Sequence, residues 1–271
     1  MAVKGLICAG GEATRLGELT AITNKHLLPV GKWPMVYYPL ELLQRCGVQE
    51  VLLVTGQRHG GDFIRLLGDG RKETREGGEP LFELDLTYKV QRAAGGIAQV
   101  VAMAERFAAG DKLIVCLGDN IFQYAEVEAI RDFVDNQESG ARIFLKEVPD
   151  PERFGVPVFD EQQRIVDISE KPGRLDHRFT EPPSPYAVVG LYCFDAQVYD
   201  IIRTLKPSER DELEITDVNR AYVDRGQLSY SFVTGWWKDA GTHEALSQIG
   251  NLIAQTGANL AVPSAGRPAA D

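Results

Sequence analysis

Short aliphatic and β-branched runs alternate with longer stretches of mixed polarity through the first half of the chain. Residues 3–8, 51–55, 113–117, 141–145 and 188–194 are almost continuously apolar, the pattern of strands covered on both faces. Segments of helical period separate the earlier runs. This alternation predicts an α/β fold, with a mostly parallel central sheet and helices on both faces. Ligands of such sheets gather beyond the carboxyl ends of the strands, where Gly10, Gly11 and Asp119 fall. From about Phe154 the pattern changes to short strands and turns, with a proline-rich loop at residues 181–185. Helical periodicity returns at 196–204, 215–225 and 243–255.

The chain has 271 residues, 44% of them hydrophobic, enough for one large α/β domain or two smaller ones. A formal charge of −10 argues against a general nucleic-acid binder, because affinity for a phosphate backbone comes from clustered Lys and Arg. A few local cations still suffice to dominate a pocket for a small anion. Cys8, Cys46, Cys116 and Cys193 lie far apart among apolar residues without a C-x-x-C, which predicts buried, reduced thiols in a cytoplasmic protein. No run of 18 apolar residues is present to cross a membrane, and the first residues begin directly with a strand rather than a leader.

The segment Leu6-Ile-Cys-Ala-Gly-Gly-Glu-Ala-Thr-Arg-Leu16, followed by Thr23-Asn-Lys-His-Leu-Leu-Pro-Val30, joins an apolar strand to a glycine turn carrying two cations. Glycines let backbone N–H groups approach phosphate oxygens closely, Arg15 offers a planar fork and Lys25 a compact charge. Neither G-x-x-x-x-G-K-[ST] nor a strand followed by G-x-G-x-x-G occurs, so a Walker loop and a dinucleotide fingerprint are both excluded. On residue type alone, Asp119 reads first as the start of a turn, Asp239 as a helix cap, and Gln91 as a solvated strand end. The four histidines share no metal-ligand spacing, and His26 is expected to pack or hydrogen-bond beside Lys25. Tyr37, Tyr38, Trp236 and Trp237 read as core and subunit-contact aromatics, with Trp237 placed to position Asp239.

The string Gly10-Gly-Glu-Ala-Thr-Arg-Leu16 with Lys25-His-Leu-Leu-Pro-Val30 resembles the G-G-x-G-T-R-L…K-x-L-L-P-V pattern of sugar-1-phosphate nucleotidyltransferases, in particular glucose-1-phosphate thymidylyltransferases. Gly95-Gly-Ile-Ala-Gln99, Leu117-Gly-Asp-Asn-Ile-Phe122, Asp150-Pro-Glu-Arg-Phe-Gly-Val156, Glu170-Lys-Pro172, Glu212-Leu-Glu-Ile-Thr-Asp-Val-Asn219 and Trp237-Lys-Asp-Ala-Gly-Thr-His243 resemble that family in its order, over residues 3 to 255. The resemblance implies a Rossmann-like, glycosyltransferase-A-like nucleotidyltransferase fold. It implies one domain over residues 1–255, with a nucleotide-binding part at about 1–150, a sugar-phosphate part at about 151–240, and a flexible Gly/Ala/Pro-rich tail at 256–271.

It also implies the reaction: transfer of a nucleoside monophosphate from dTTP to a sugar 1-phosphate, foremost glucose 1-phosphate, by Mg2+-assisted in-line displacement of pyrophosphate. UTP is the nearest alternative donor, since uracil and thymine differ by one methyl, worth about 1–3 kcal/mol in comparable pockets. By resemblance the nucleotide meets Ala9, Gly10, Gly11, Arg15, Lys25, Gln91, Gly96 and Asp119, with Gln91 reading the pyrimidine edge. The sugar phosphate meets Asp119, Gly155, Glu170, Lys171 and Val188, and the metal meets Asp119 and Asp239. A noncatalytic nucleotide-sugar sensor is the rival from another class, and the joint presence of Arg15, Lys25, Asp119, Lys171 and Asp239 argues against it.

Three departures from the family pattern bear on specificity: Ala13 stands for a common glycine, Arg92 and Ala93 follow Gln91 in place of a proline-containing stretch, and Phe154 stands where tyrosine is frequent. Longer thymidylyltransferases of this kind continue past the helix at 243–255 into helices that build a second nucleotide site. The tail here implies no complete C-terminal feedback site, and a homo-oligomer that does not depend on those helices. No nucleic-acid or membrane partner is expected.

Overall fold

A computed structural model describes residues 2–11, 14–73 and 80–262; Ala13 lies outside them. In chain order the framework is β1 (Val3–Ala9), α1 (Tyr37–Arg45), β2 (Glu50–Gly56), α2 (Gly60–Leu67), β3 (Asp85–Gln91), α3 (Ile97–Met103), β4 (Lys112–Leu117), the short β5 (Asn120–Phe122), α4 (Val127–Asn136) and β6 (Ala141–Glu147). There follow a hairpin of β7 (Gly155–Phe159) and β8 (Ile165–Glu170), then β9 (Tyr186–Phe194), α5 (Val198–Thr204), α6 (Ile215–Asp224), β10 (Leu228–Phe232), β11 (Trp237–Asp239) and α7 (His243–Thr256).

Seven strands form one sheet in the order β10-β6-β9-β4-β1-β2-β3. All neighbours are parallel except β9, which runs antiparallel to both β4 and β6. The mostly parallel sheet expected from the alternation is therefore present, and β9 is its exception. Parallel neighbours need a crossover, and β9 arrives instead from the β7–β8 hairpin.

The continuous apolar runs are explained by two cores. Leu6 packs with α3, α5 and α6 on one face, while its neighbour Ile7 packs with α1, α2 and α4 on the other. The two edge strands, β3 and β10, were not visible as apolar runs because each is only partly covered and carries exposed or half-exposed positions. All four cysteines are free thiols, three of them buried, as the sequence predicts. Among the described residues no helix is long and apolar enough to cross a membrane.

A third, smaller core joins α7 to the region before α1 and to the β5–β11 ribbon, through Val30, Met35, Tyr38, Ile121, Ala240 and Ile249. The segment expected to fray from residue 256 instead begins docked, which corrects its boundary. The Asn259 side chain is buried and donates to the Tyr38 carbonyl at 2.8 Å, while its backbone N–H donates to the Phe122 carbonyl at 2.9 Å. These bonds satisfy polar groups that an unfolded tail would leave to water. Residues 263–271 lie outside the described residues.

Candidate active site

The exits of β1, β2 and β3 meet at one corner. Gly10 lies so close to Gln91 that an added Cβ would stand 2.7 Å from the Gln91 Oε1, so a side chain here would push the Gln91 amide aside. Gln91 closes β3 opposite Gly56 and is 8% exposed, not the solvated strand end that its residue type also allowed. Gly96, just before α3, has a φ of +86°, and an added Cβ would fall on the Leu213 backbone. At Gly96 the positive φ and the backbone contact together exclude an ordinary side chain.

Asn24 fastens the turn that carries Lys25. Its side-chain amide donates to the Ala9 carbonyl at 3.2 Å, and its Oδ1 accepts from the His26 backbone N–H at 2.9 Å and lies 2.7 Å from the His26 Nδ1. The His26 ring packs over Gly118, where a Cβ would come within 2.6 Å of it. Burial, with help from the Lys25 charge and against that of Asp119, pushes the His26 imidazole down to about 3, so the ring is neutral. Lys25, held by this turn, forms an ion pair with Asp119.

Asp119 follows β4 and is oriented by Asn120, whose Nδ2 donates to the Asp119 Oδ1 at 3.0 Å. The Asn120 Oδ1 in turn accepts from the Gly190 N–H at 2.8 Å and the Trp237 Nε1 at 2.7 Å, tying the carboxylate to β9 and β11. Burial disfavours the ionised form of Asp119, but Lys25 and the hydrogen bonds outweigh it and hold the carboxyl well below the usual range. Asp239 pairs with Asn120 across the β5–β11 ribbon, which brings the two carboxylates to one place. Burial first and the charge of Asp119 second push the Asp239 carboxyl up to about 6, against the pull of Lys25 and Arg15.

Asp239 is not the helix cap that its residue type also allowed. Thr242 caps α7, its Oγ1 accepting from the Ala245 N–H at 3.2 Å, and the Asp239 Oδ1 is buried without a partner among the described residues. A Cβ at Gly241 would stand 2.7 Å from the Arg15 guanidinium and 2.8 Å from that same Oδ1, so both groups converge on a bare backbone. A partly bare carboxylate beside an ionised one fits a hard divalent cation that takes its remaining oxygens from phosphate and water. No cluster of three or more metal-binding side chains occurs among the described residues. That sparse donor set is the one Mg2+ uses when a phosphorylated substrate completes its shell.

The other side of the site is built on the β7–β8 hairpin, where Gly155 stands opposite Glu170. The Lys171 Nζ donates to the Glu170 Oε1 at 2.6 Å, and the Thr216 Oγ1 donates to the Glu170 Oε2 at 2.5 Å. Lys171 has a φ of +47°, a left-handed conformation uncommon outside glycine and Asn, held here between Glu170 and Pro172. Arg210 lies 3.8 Å from Glu170 and 2.8 Å from Glu214, bringing a further cation to this side. Phe154 stacks edge-on against Trp237, with ring centres 5.3 Å apart.

These groups line a single cleft of about 770 Å3. Gly10, Gly11, Arg15, Lys25, Gln91, Gly96, Asp119, Gly155, Glu170, Lys171, Val188 and Asp239 all border it. In sheet order Asp119 at the end of β4 stands between Val188 of β9 and Gly10 after β1, so the carboxylates separate the two sides. Ala9 is the expected site residue that does not reach the cleft: its side chain is fully buried in the core beneath. Sequence reasoning passed over Asn120, Arg153 and Thr216, although each stands inside a family-like string, and also Arg174 and Arg210, which no short-range pattern marks.

Comparison with known proteins identifies the family. Residues 4–256 match the Nucleotidyl transferase family model. A glucose-1-phosphate thymidylyltransferase of Neisseria meningitidis is 40% identical over 253 residues, 93% of this chain and 82% of its own length. One from Xanthomonas campestris is 39% identical, over 92% of this chain and 80% of its own. A Bacillus anthracis protein provisionally named a glucose-1-phosphate thymidylyltransferase, crystallised with sucrose, superposes with a TM-score of 0.82 at 44% identity, covering 93% of this chain and 95% of its own. Apo UDP-glucose pyrophosphorylase superposes with a TM-score of 0.79 at 21% identity, a likeness of fold alone. With the family model spanning nearly the whole chain and relatives near 40% identity over most of it, the chain belongs to the nucleotidyl transferase family.

Proposed function

We propose that this chain transfers the thymidylyl group of dTTP to glucose 1-phosphate, forming dTDP-glucose and pyrophosphate. The observation that carries the reading is the convergence of Asp119 and Asp239 between a glycine-and-cation corner and the Glu170–Lys171 pair, within one cleft. The thymidylyl group and glucose follow the names of the relatives.

The reaction joins two anions, so neutralising and aligning charge is most of the catalytic task. Arg15 and Lys25 face the triphosphate, and Arg15 steadies the departing pyrophosphate. In the free chain Lys25 neutralises Asp119, and the arriving triphosphate offers it a competing anion. Lys171 holds the sugar phosphate so that one of its oxygens faces the α-phosphorus opposite the leaving group. That oxygen is already ionised at neutral pH, so neither a protein nucleophile nor a general base is required. Glu170 accepts hydrogen bonds from sugar hydroxyls, because each of its oxygens keeps a lone pair beyond those given to Lys171 and Thr216. Asp119 and Asp239 would hold Mg2+, which when bound offsets the charge on the α-phosphate. Gln91 reads the base edge with one donor and one acceptor. The free thiols and acidic balance suit a cytoplasmic enzyme.

Initial rates of pyrophosphate release with glucose 1-phosphate and each of dTTP, UTP, CTP, ATP and GTP test the reading. The highest kcat/KM is expected for dTTP, with UTP next. A purine preference would overturn the role of Gln91, and no release with any nucleotide would overturn the reaction.

A further inference from the structure

On the side of the cleft proposed for the sugar phosphate, most of the bordering cations are already paired with carboxylates. Lys171 bonds to Glu170 at 2.6 Å, Arg210 to Glu214 at 2.8 Å, and Arg153 to Asp150 at 2.5 Å. A phosphate engaging any of these would have to compete with a carboxylate for it. Arg174 borders the same cleft, is exposed, and makes no ion pair or side-chain hydrogen bond among the described residues.

The backbone that carries Arg174 is held from several directions. Lys171, with its φ of +47°, turns the chain out of β8, and its carbonyl accepts from the Arg174 N–H at 2.9 Å and the Leu175 N–H at 3.0 Å. A left-handed residue other than glycine persists only where its surroundings hold it, and such residues gather at ligand sites. The Gly173 N–H donates to the Asp176 carbonyl at 3.1 Å and closes the turn. Asp176 is clamped in its own right: Arg178 donates to its two oxygens at 2.9 and 2.6 Å, and Arg220 of α6 to one of them at 3.2 Å. Both arginines also reach Asp167 of β8, Arg220 at 3.0 Å and Arg178 at 2.9 Å. The arginines behind the turn are thus committed to carboxylates, while the one bordering the cleft is free.

We infer that Arg174 binds the phosphate of the sugar 1-phosphate beside Lys171, and that the clamped turn at residues 171–176 presents it there. The inference rests on the reading of the cleft as a site for a sugar 1-phosphate. A guanidinium offers two N–H groups in one plane to two phosphate oxygens, which leaves the third oxygen to face the α-phosphorus. Because Arg174 gives up no carboxylate to do this, its charge is available in full to the incoming anion. Arg15 is its counterpart on the side proposed for the nucleotide, for it too borders the cleft without an ion pair among the described residues. Each substrate would then meet one uncommitted arginine, with the two carboxylates between them.

Since the Arg174 side chain is exposed and bonds to nothing in the fold, replacing it is not expected to disturb folding. Arg174→Gln is expected to raise KM for glucose 1-phosphate at least about fivefold while KM for dTTP stays within about twofold. Arg174→Lys, which keeps the charge without the fork, is expected to fall between that variant and the wild type. A KM for glucose 1-phosphate within about twofold of wild type in Arg174→Gln, or an equal rise for both substrates, would overturn the inference. Galactose 1-phosphate, mannose 1-phosphate and 2-deoxyglucose 1-phosphate, used as inhibitors competing with glucose 1-phosphate, separate the phosphate from the sugar ring. Each one that competes is expected to weaken by the same factor in Arg174→Gln. Factors differing by more than about threefold between sugars would assign Arg174 to a hydroxyl and contradict the phosphate contact. A wild type that consumes no sugar 1-phosphate would remove the underlying reading, which an unchanged KM in the variant leaves standing.

Discussion

On the side of the cleft proposed for the nucleotide the chain brings bare backbone into place, at Gly10 beyond the end of β1 and at Gly96 against Leu213. On the side proposed for the sugar phosphate it brings side chains from distant segments around one carboxylate: Lys171 and Thr216 bond to Glu170, and Arg210 stands beside it. At Gly96 the first construction is fixed by its positive φ and by the Leu213 backbone, which a side chain would meet. The second is adjustable one side chain at a time.

In the proposed reaction the two carboxylates between the sides serve both, so breaking them is expected to have the largest effect. Asp119→Asn and Asp239→Asn are each expected to lower turnover by more than about tenfold, about 1.4 kcal/mol of barrier, with both substrates equally affected. Titration with Mg2+ checks this, and wild-type rates across the titration would contradict the metal assignment. The sides themselves are expected to separate next. Arg15→Ala is expected to lower kcat/KM for dTTP about tenfold with a smaller change for glucose 1-phosphate, and Lys171→Ala the reverse. Equal losses on both substrates in both variants would remove the division.

Thr216→Val sharpens the comparison at smaller cost. It keeps the shape of the side chain but removes the 2.5 Å hydrogen bond to Glu170, and is expected to raise KM for glucose 1-phosphate about threefold to tenfold while KM for dTTP stays within twofold. The smallest effect concerns stability alone. The folded chain keeps His26 neutral down to about 3, whereas an unfolded chain protonates it near 6.5. The unfolded state therefore binds the extra proton, and this contribution to stability is complete above pH 6.5 and is lost as the pH falls toward 3. Between pH 8 and pH 5 the loss from this residue is about 2 kcal/mol. Denaturant melts of wild type and His26→Gln at both pH values isolate it: the wild type is expected to lose more stability than the variant, and equal losses would contradict a buried neutral imidazole.

The same contrast governs what the sequence reveals. The buried strands are legible because sheets covered on both faces demand continuous apolar runs, and the glycine turn because a phosphate site needs backbone close at hand. Edge strands β3 and β10 lack that signal, being covered on one side at most. Nor does a local pattern announce that Thr216 of α6 and Arg210 will meet Glu170 of β8, since that depends on how α6 packs on the hairpin. Asn120 is a further instance: its neighbour Asp119 carries the recognisable chemistry, while its own part, bridging β9 and β11, exists only in the fold. Asn259 lies in a stretch whose composition reads as a tail, yet its buried bonds to Tyr38 and Phe122 hold that stretch against α1 and β5.

The account stands on the claim that one cleft joins the two substrates through the paired carboxylates. Its most direct test is to incubate the chain with Mg2+, dTTP and glucose 1-phosphate, and to measure pyrophosphate and nucleotide sugar together by mass spectrometry, with each substrate omitted in turn. The account predicts dTDP-glucose and pyrophosphate in equal amounts only in the complete mixture, and loss of both in Asp239→Asn. Pyrophosphate or phosphate released without glucose 1-phosphate at the same rate, or binding of both substrates with no product, would contradict it.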